Sequence, residues 1–257
     1  RHERDLTFDA RLAYVAGRWL GDGWVSKDRE VMICTGHANG DALEAELLDR
    51  FPEPAGERAG DDELRWHRSK KLTATVFATS SITLAEFLTD HFGRGAAGKT
   101  IPIWLFGMNT EIRQAFFDGY IDADGHWSKS HGGRRCSAST VSKPMAVGLR
   151  LLFASLGCHA SMTYVRRPQT TVIEGREVRQ KDQWNVGATF EPLKRPEHRR
   201  VGEHLWSRTS GVLRSSGELV PVFNMTVEED HTYVADGIVV HNCVNHSRAN
   251  AQKLYLN

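Results

Sequence analysis

The sequence predicts a mixed α/β (α+β) fold of two related halves, followed by a small all-β C-terminal segment. Three observations lead to this prediction: an internal repeat, a similar order of helices and strands after each copy, and a change of composition near residue 200. The 257 residues, 40% hydrophobic and 25% charged, suffice to bury one sizeable core or two modest ones. No apolar run approaches the ~20 residues that span a membrane, and no secretory signal opens the chain, so we expect a cytoplasmic protein.

The internal repeat consists of AYVAGRWLGDGW at 13–24 and AFFDGYIDADGHW at 115–127. The two copies align at a constant offset of 102, as 124 − 22 shows. Small residues recur at every fourth position of each copy: Ala13, Gly17 and Gly21, then Ala115, Gly119 and Ala123. On a helix this spacing gives one stripe along one face. Two such stripes let two helices pack backbone to backbone, at the interface between the halves.

Each predicted helix ends in Asp-Gly, at Asp22 and at Asp124. We expect the glycine that follows each acid to adopt the left-handed conformation of a helix C-cap. A carboxylate at a helix C-terminus is unfavourable by about 0.3–1 kcal/mol when exposed. A divalent cation held by both acids, and by the helix-end carbonyls of Gly21 and Ala123, would reverse that cost. The alternative to a metal site is an ordinary Asp-Gly turn after a helix. A turn accounts well for one such sequence but less well for two at equivalent positions of a repeat.

The two nonapeptides VAGRWLGDG at 15–23 and FDGYIDADG at 117–125 resemble the paired motifs of the LAGLIDADG (DOD-type) homing endonucleases. The first copy departs from the consensus at Leu20 and Gly21 but keeps the acid. The resemblance implies two αββαββα-like repeats and a site-specific, double-strand DNA endonuclease. It also implies that Asp22 and Asp124 are catalytic metal ligands, with Mg²⁺ or Mn²⁺ as the cofactor.

Strand-like segments follow each motif, at 24–36 and 126–141. Helical patterns come next, at about 41–51 and 143–157, and further strands are predicted at 64–80, 159–166 and 176–190. In the family that the motifs resemble, the two antiparallel sheets lie in the DNA major groove. Residues 126–200 carry fourteen Lys and Arg against five Asp and Glu, which fits such a role. The candidate DNA-binding residues are the basic ones on these strands: Lys70, Lys71, Lys129, Arg134, Arg135, Arg166, Arg167, Arg179 and Lys181.

Lys99 lies in GKTIPIWLF, which resembles the segment that leads into the second motif of intein endonucleases. The resemblance implies a catalytic lysine near the scissile phosphate, where a cation stabilises developing negative charge. A solvated loop lysine is the alternative. For the second half, Lys181 and Lys194 both remain candidates for the equivalent lysine.

The C-terminal stretch VPVFNMTVEEDHTYVADGIVVHNC at 220–243 predicts paired strands around a turn at 235–237, ending at His241. It closely resembles the two C-terminal blocks of inteins. The resemblance implies that Asn242 cyclises and breaks the 242–243 peptide bond, with His241 and His231 assisting. Cys243 is then the first residue of the host sequence and accepts the acyl chain.

The expected organisation is a first repeat at 1–108, a second at 109–200, a C-terminal splicing segment at 201–242 and a short C-extein at 243–257. An N-terminal splicing nucleophile is not found. Three alternatives therefore stay open: the chain splices in trans with an N-terminal intein fragment, it cleaves slowly at its C-terminal junction, or it is a remnant that does not splice. We expect a monomer, because both motifs lie in one chain. Its expected partner is double-stranded DNA, and no binding to a membrane is expected. A non-cleaving DNA-binding module and a splicing relic with a decayed nuclease are the alternative functions.

Overall fold

The computed structural model describes residues 6–27, 29–52, 64–130, 133–173, 175–190, 198–202, 204–207, 232–235 and 238–241. Its internal contacts divide the chain into two units, residues 1–192 and 193–257. Charge composition predicts a boundary near residue 200, and the contacts divide the chain between Pro192 and Leu193. Among the described residues, no helix is both long and apolar enough to cross a membrane.

Unit 1 alternates helices with strand pairs. Its helices are α1 (Ala10–Asp22), α2 (Gly40–Arg50), α3 (Ile82–Phe92), α4 (Gly95–Gly98), α5 (Thr110–Asp124) and α6 (Lys143–Ser155). Its strands are β1 (Gly23–Val25), β2 (Val31–Thr35), β3 (His67–Lys70), β4 (Thr75–Thr79), β5 (Gly125–Ser130), β6 (Gly133–Thr140), β7 (His159–Val165), β8 (Thr170–Ile173), β9 (Arg176–Arg179) and β10 (Gln183–Thr189). Short 3₁₀ turns lie at His37–Asn39 and Ile103–Gly107. The order αββαββ occurs twice, with the β8-β9 hairpin inserted between the last two strands of the second copy, so the predicted mixed fold with antiparallel sheets is confirmed.

Polar residues at the start of the main helices fix where these helices begin. Asp9 and Asn109 accept hydrogen bonds from the backbone N–H groups of the first turns of α1 and α5, at 3.0 and 2.9 Å. Ser81 and Ser142 cap α3 and α6 in the same way. Each cap satisfies a backbone donor that the helix itself leaves unpaired.

Each half contributes one four-stranded antiparallel sheet. The strand orders are β1-β2-β4-β3 and β5-β6-β10-β7, so the same spatial order is built twice. The β8-β9 hairpin forms a separate two-stranded sheet between β7 and β10 in the chain. One face of each sheet packs on helices, and the alternation of buried and half-buried residues in β2 reflects this.

Helices α2 and α6 lie where the patterns at about 41–51 and 143–157 predict them. Helix α3 takes the place of the last helix of the predicted αββαββα-like repeat, but no residue range was predicted for it, although its sequence carries Leu84, Leu88 and Phe92 at helical spacing after the Ser81 cap. These three side chains are fully buried, so α3 contributes a continuous apolar stripe to the core.

Unit 2 contains two short antiparallel hairpins in its described part. The first pairs β11 (His198–Val201) with β12 (His204–Ser207), and the second pairs β13 (Thr232–Ala235) with β14 (Ile238–His241). The second hairpin matches the pair that the sequence predicts to end at His241.

Candidate functional site

The two motif helices, α1 and α5, are in backbone contact. A Cβ atom added at Gly17 would lie 2.2 Å from the carbonyl oxygen of Phe116, and one added at Gly119 would lie 2.0 Å from that of Tyr14. The two contacts are related by the sequence repeat, since Tyr14 and Phe116 also differ by 102. The predicted small-residue stripe is therefore confirmed, and only glycine fits at these two positions.

The close approach continues to the ends of both helices. A Cβ at Gly21 would lie 2.4 Å from the Cβ of Ala123 and 3.3 Å from that of Asp124. Asp22 is the next residue after Gly21 and the last of α1, as Asp124 is the last of α5. The packing of the helices thus brings together the two carboxylates that the repeat predicts.

The prediction of left-handed cap glycines is wrong. Gly23 has φ −114° and Gly125 has φ −90°, which is extended backbone that any residue adopts. Here the chain passes directly from helix into strand, and the glycines are needed for space. A Cβ at Gly23 would lie 2.6 Å from the Cα of Trp19, and one at Gly125 would lie 2.6 Å from the carbonyl oxygen of Ile121.

Both carboxylates are disfavoured as anions. Desolvation raises the pKa of Asp22, and the positive charges of Arg18 and Lys99 oppose that rise. Desolvation and then the negative charge of Asp22 raise the pKa of Asp124 to about 6, against the opposing effects of Lys99 and of a hydrogen bond from Tyr120. Two neighbouring acids with raised pKa values are typical of a site that binds a cation or transfers a proton.

Lys99 joins this site from the loop after α4. Its Nζ donates hydrogen bonds to three backbone carbonyls at the end of α1, those of Trp19 at 3.1 Å, Gly21 at 3.4 Å and Gly23 at 3.0 Å. Desolvation lowers the pKa of this ammonium group, while Asp22 and Asp124 raise it. The lysine predicted to be catalytic therefore lies beside both predicted acids.

The donor set of the site suits a hard divalent cation. Within the described residues, no group of three or more His, Cys, Asp or Glu side chains could hold a metal ion. The available protein ligands are two carboxylates and helix-end carbonyls, and Mg²⁺ typically takes one or two carboxylates with water and phosphate oxygens. Of the two predicted carbonyl ligands, that of Gly21 accepts a hydrogen bond from Lys99, whereas that of Ala123 lies on the neighbouring helix end.

A cavity of about 510 Å³ opens beside the helix ends. Trp19, Gly21 and Lys99 line it from the first half, and Tyr120, Asp124 and Ser139 line it from the second. Asp124 thus faces open space, although the protein around it disfavours its charge.

The nine predicted DNA-binding residues are all exposed, but they do not share one face. Arg134 lies over the ring of Trp127, 3.7 Å from the centroid, and Trp127 contacts Phe117 of α5. Arg135 is the next residue of β6 and lies on the opposite face, where a Cβ at Gly187 would lie 2.7 Å from its Nη2.

The other candidates lie at strand ends and in loops. Lys70 ends β3 opposite Thr75, and Lys71 follows it. Lys129 of β5 pairs with Arg134. Arg166 and Arg167 follow β7, Arg179 ends β9, and Lys181 lies between β9 and β10.

The face of the second sheet that carries Arg135 holds a polar row that sequence reasoning missed. Ser139 Oγ and Gln183 Nε2 both donate to Asn185 Oδ1, each at 2.8 Å. Only basic residues were predicted to bind DNA, although these polar side chains alternate with buried ones along β6 and β10. Such amide and hydroxyl groups are suited to contact base edges. Arg18 was missed as well, although a charged residue within the apolar run VAGRWL is a visible signal.

Of the predicted splicing residues, His241 is the last residue of β14. His231, Asn242 and Cys243 lie outside the described residues, as does the alternative lysine Lys194.

One part of the chain resembles a known protein family. Residues 111–187 match the sequence profile of the LAGLIDADG-like domain. The match runs from the first turn of α5 to β10, so it covers the second motif and the second sheet. The second half of unit 1 is therefore similar to a LAGLIDADG-like domain over these residues.

Individual relatives are distant. An iron–sulfur cluster assembly SufBD family protein of Mycobacterium tuberculosis is 28% identical over 157 residues, which cover 61% of this chain and 18% of the relative. The homothallic switching endonuclease of Saccharomyces cerevisiae is 27% identical over 195 residues, covering 65% of this chain and 30% of that protein. The chain thus spans less than a third of the length of these two relatives.

Among solved structures, the homing endonuclease I-DmoI in complex with DNA and Mn has a TM-score of 0.44 at 15% identity, covering 71% of this chain and 91% of that chain. Full-length DUF199/WhiA has a TM-score of 0.43 at 10% identity, covering 74% of this chain and 54% of that one.

Proposed function

We propose that the chain is a LAGLIDADG homing endonuclease that hydrolyses both strands of a specific DNA site with Mg²⁺ or Mn²⁺. The observation that carries this proposal is the pair Asp22 and Asp124, held at adjoining helix ends with Lys99 beside them. Two related sheets follow the two helices, as a monomer needs in order to contact both sides of a pseudo-symmetric site. The yeast relative's description as an endonuclease, and the DNA and metal in the I-DmoI complex, support the proposal.

The residues of the site have distinct roles in this reaction. Asp22, Asp124 and the carbonyl of Ala123 would hold the divalent ion, which supplies Lewis acidity and a water of lowered pKa. Lys99 keeps an ammonium group within reach of the scissile phosphate and compensates its developing charge. On the second sheet, Arg135 contacts the phosphate backbone, while Ser139, Gln183 and Asn185 contact base edges.

The C-terminal segment belongs to the same proposal as an intein splicing element. Its support is the sequence VADGIVVHNC and the hairpin that ends at His241. In this reaction the thiol of Cys243 accepts the acyl chain, and the side-chain amide of Asn242 then attacks its own backbone carbonyl, which forms a succinimide and releases the amine of Cys243. His241 donates a proton or hydrogen bond to that carbonyl, and His231 assists through its own hydrogen bonds. The proposed setting is the cytoplasm, with a separate N-terminal intein fragment as the splicing partner.

A cleavage assay tests the nuclease. Its substrate is plasmid DNA that carries the gene of the host protein without the intein insertion. The unmutated chain is expected to linearise the plasmid in Mg²⁺, and Asp22→Asn or Asp124→Asn should each lower double-strand cleavage by at least ~100-fold. Asp118→Asn is the matched control, because Asp118 lies on α5 and hydrogen-bonds Gln114 at 2.9 Å, away from the helix end. Binding without cutting by the unmutated chain would instead support a decayed nuclease or a non-cleaving DNA-binding module.

Mass spectrometry tests the splicing assignment separately. Incubation in neutral buffer should release residues 243–257 slowly from the unmutated chain and leave a succinimide at Asn242, and Asn242→Ala should prevent this release. Release from the Asn242→Ala chain at the same rate would exclude cyclisation as its cause.

A further inference from the structure

The two carboxylates of the site have different neighbours one helical turn before them. Arg18 precedes Asp22 by four residues on α1, and Tyr120 precedes Asp124 by four residues on α5. Arg18 and Tyr120 are equivalent in the repeat, since 120 − 18 is 102. One acid therefore has a permanent cation beside it, while the other has a neutral phenol.

Arg18 is held in the protein interior. It is 4% exposed, and among the described residues its Nε has no hydrogen-bond partner. Four residues of helix separate its backbone from that of Asp22 by roughly 6 Å. A guanidinium group so shielded from water and without a partner at Nε acts on its surroundings through its charge, because a low local dielectric strengthens that field.

Tyr120 is buried as deeply, with 1% exposure, but it serves Asp124 by a hydrogen bond. The phenol O–H is a neutral donor to the carboxylate, so it orients the carboxylate without cancelling its charge. The positive charge of Arg18 acts on Asp22 and not on Asp124, so a divalent ion at Asp22 meets a repulsion that the same ion at Asp124 does not.

The two acids also differ in their access to the cavity, and this difference again favours Asp124. Asp124 and Tyr120 line the cavity of about 510 Å³, whereas Asp22 and Arg18 are not part of its wall. Lys99 adds to the difference because its Nζ donates to Gly21 and Gly23, at the end of α1 rather than that of α5.

From this arrangement we infer that Arg18 makes the metal centre unequal: a divalent ion binds from the Asp124 side, and Arg18 weakens binding at Asp22. Arg18 is thus a positioning residue that sets where the ion binds. The inference rests on the proposed metal-dependent function, and it concerns the two halves of that one site.

Mn²⁺ binding to the full chain without DNA tests this inference, with the unbound ion followed by electron paramagnetic resonance. The variant Asp22→Asn keeps only the carboxylate of Asp124, and the variant Asp124→Asn keeps only that of Asp22. We expect Asp22→Asn to bind Mn²⁺ about tenfold more tightly than Asp124→Asn. Adding Arg18→Met to Asp124→Asn should recover most of that difference, since Met keeps much of the side-chain volume but carries no charge. Arg18→Lys is the matched control that keeps the charge, and it should recover none.

Circular dichroism verifies the fold of each variant, and Arg18→Gln replaces Arg18→Met if the latter does not fold. Equal Mn²⁺ affinity of the two single Asn variants would overturn the inference and leave the proposed function intact. Loss of binding in both variants, with binding retained by the unmutated chain, would also overturn it, because the ion would then need both acids. Absence of Mn²⁺ binding to the unmutated chain would instead overturn the proposed metal site itself.

Discussion

At the scale of single residues, Asp124 combines a functional position with a cost to stability. Its pKa is raised to about 6, whereas aspartate in an unfolded chain titrates near ~3.9. The folded state therefore binds a proton that the unfolded state releases. The resulting stabilisation is fully present below the unfolded pKa and is lost as the pH rises through about 6.

Replacing Asp124 by Asn removes this pH dependence. Without metal at pH 7, we expect Asp124→Asn to raise the free energy of unfolding by about 1 kcal/mol, a value reduced for the solvent exposure of the carboxylate. Urea unfolding in the presence of a chelator, at pH 7 and below pH 4, measures the difference.

Asp182 provides the control of opposite sign. A hydrogen bond from Tyr164 and one from the backbone N–H of Arg167 lower its pKa, so its stabilising contribution is present above the unfolded pKa and lost as the pH falls. Asp182→Asn should not stabilise the protein at pH 7. A destabilised Asp124→Asn variant at that pH would show that the charge of Asp124 is not disfavoured in the folded chain.

At the scale of elements, the contact between α1 and α5 depends on glycine. A Cβ at Gly119 would lie 2.0 Å from a backbone carbonyl oxygen, so the helices themselves must separate to accommodate it. We expect Gly119→Ala to lower the free energy of unfolding by about 2–4 kcal/mol, despite the higher helix propensity of Ala.

Gly98→Ala is the matched control, because a Cβ there meets nothing within 4 Å. It should change stability by less than about 0.5 kcal/mol. Thermal unfolding of both variants measures the contrast, and equal stability would mean that the backbones of α1 and α5 are not in contact.

The two neighbouring arginines of β6 should affect DNA binding differently. Arg135 lies on the face with Ser139 and Asn185, whereas Arg134 stacks on Trp127. We expect Arg135→Ala to weaken binding to the host-gene duplex and to reduce the slope of log affinity against log salt by about 1. Arg134→Ala should leave that slope unchanged and cost about 0.5–1 kcal/mol of stability from the lost cation–π contact. A fluorescence-anisotropy salt titration distinguishes them, and equal slopes for both variants would contradict the two-face assignment.

Sequence reasoning predicted the elements around the motifs because periodicity and the repeat are local properties. The stripe through Gly17 and Gly119 and the acids at 22 and 124 are visible in the chain itself. The extended conformation of Gly23 was not, because the chain passes directly from α1 into β1, and the need for glycine there comes from the approach of Trp19. The face of each arginine was not predictable either, since register depends on hairpin length, and β5 pairs Gly125 with Ala138 whereas β1 pairs Gly23 with Ile33.

At the scale of the whole molecule, the two halves of unit 1 share one hydrophobic core. Its buried members run from Leu12 of α1 to Ala188 of β10 and form a single cluster. The sequence predicts two repeats and the packing of α1 on α5, yet it does not show that the buried side chains of both halves form one core. That result follows from the backbone contact at Gly17 and Gly119, which leaves neither half with a closed core of its own.

A shared core predicts that unit 1 unfolds as a whole and that neither half folds by itself. We expect residues 1–192 to unfold in one cooperative transition, with circular dichroism and tryptophan fluorescence giving the same midpoint, because Trp19 and Trp127 report on opposite halves of one core. Residues 1–108 alone would expose the apolar face of α1 and should not fold as a monomer, and mixing them with residues 109–192 should restore helical structure. A stably folded, monomeric 1–108 fragment would show that the halves are independent domains, and the backbone contact between the motif helices would then be an interface between two cores.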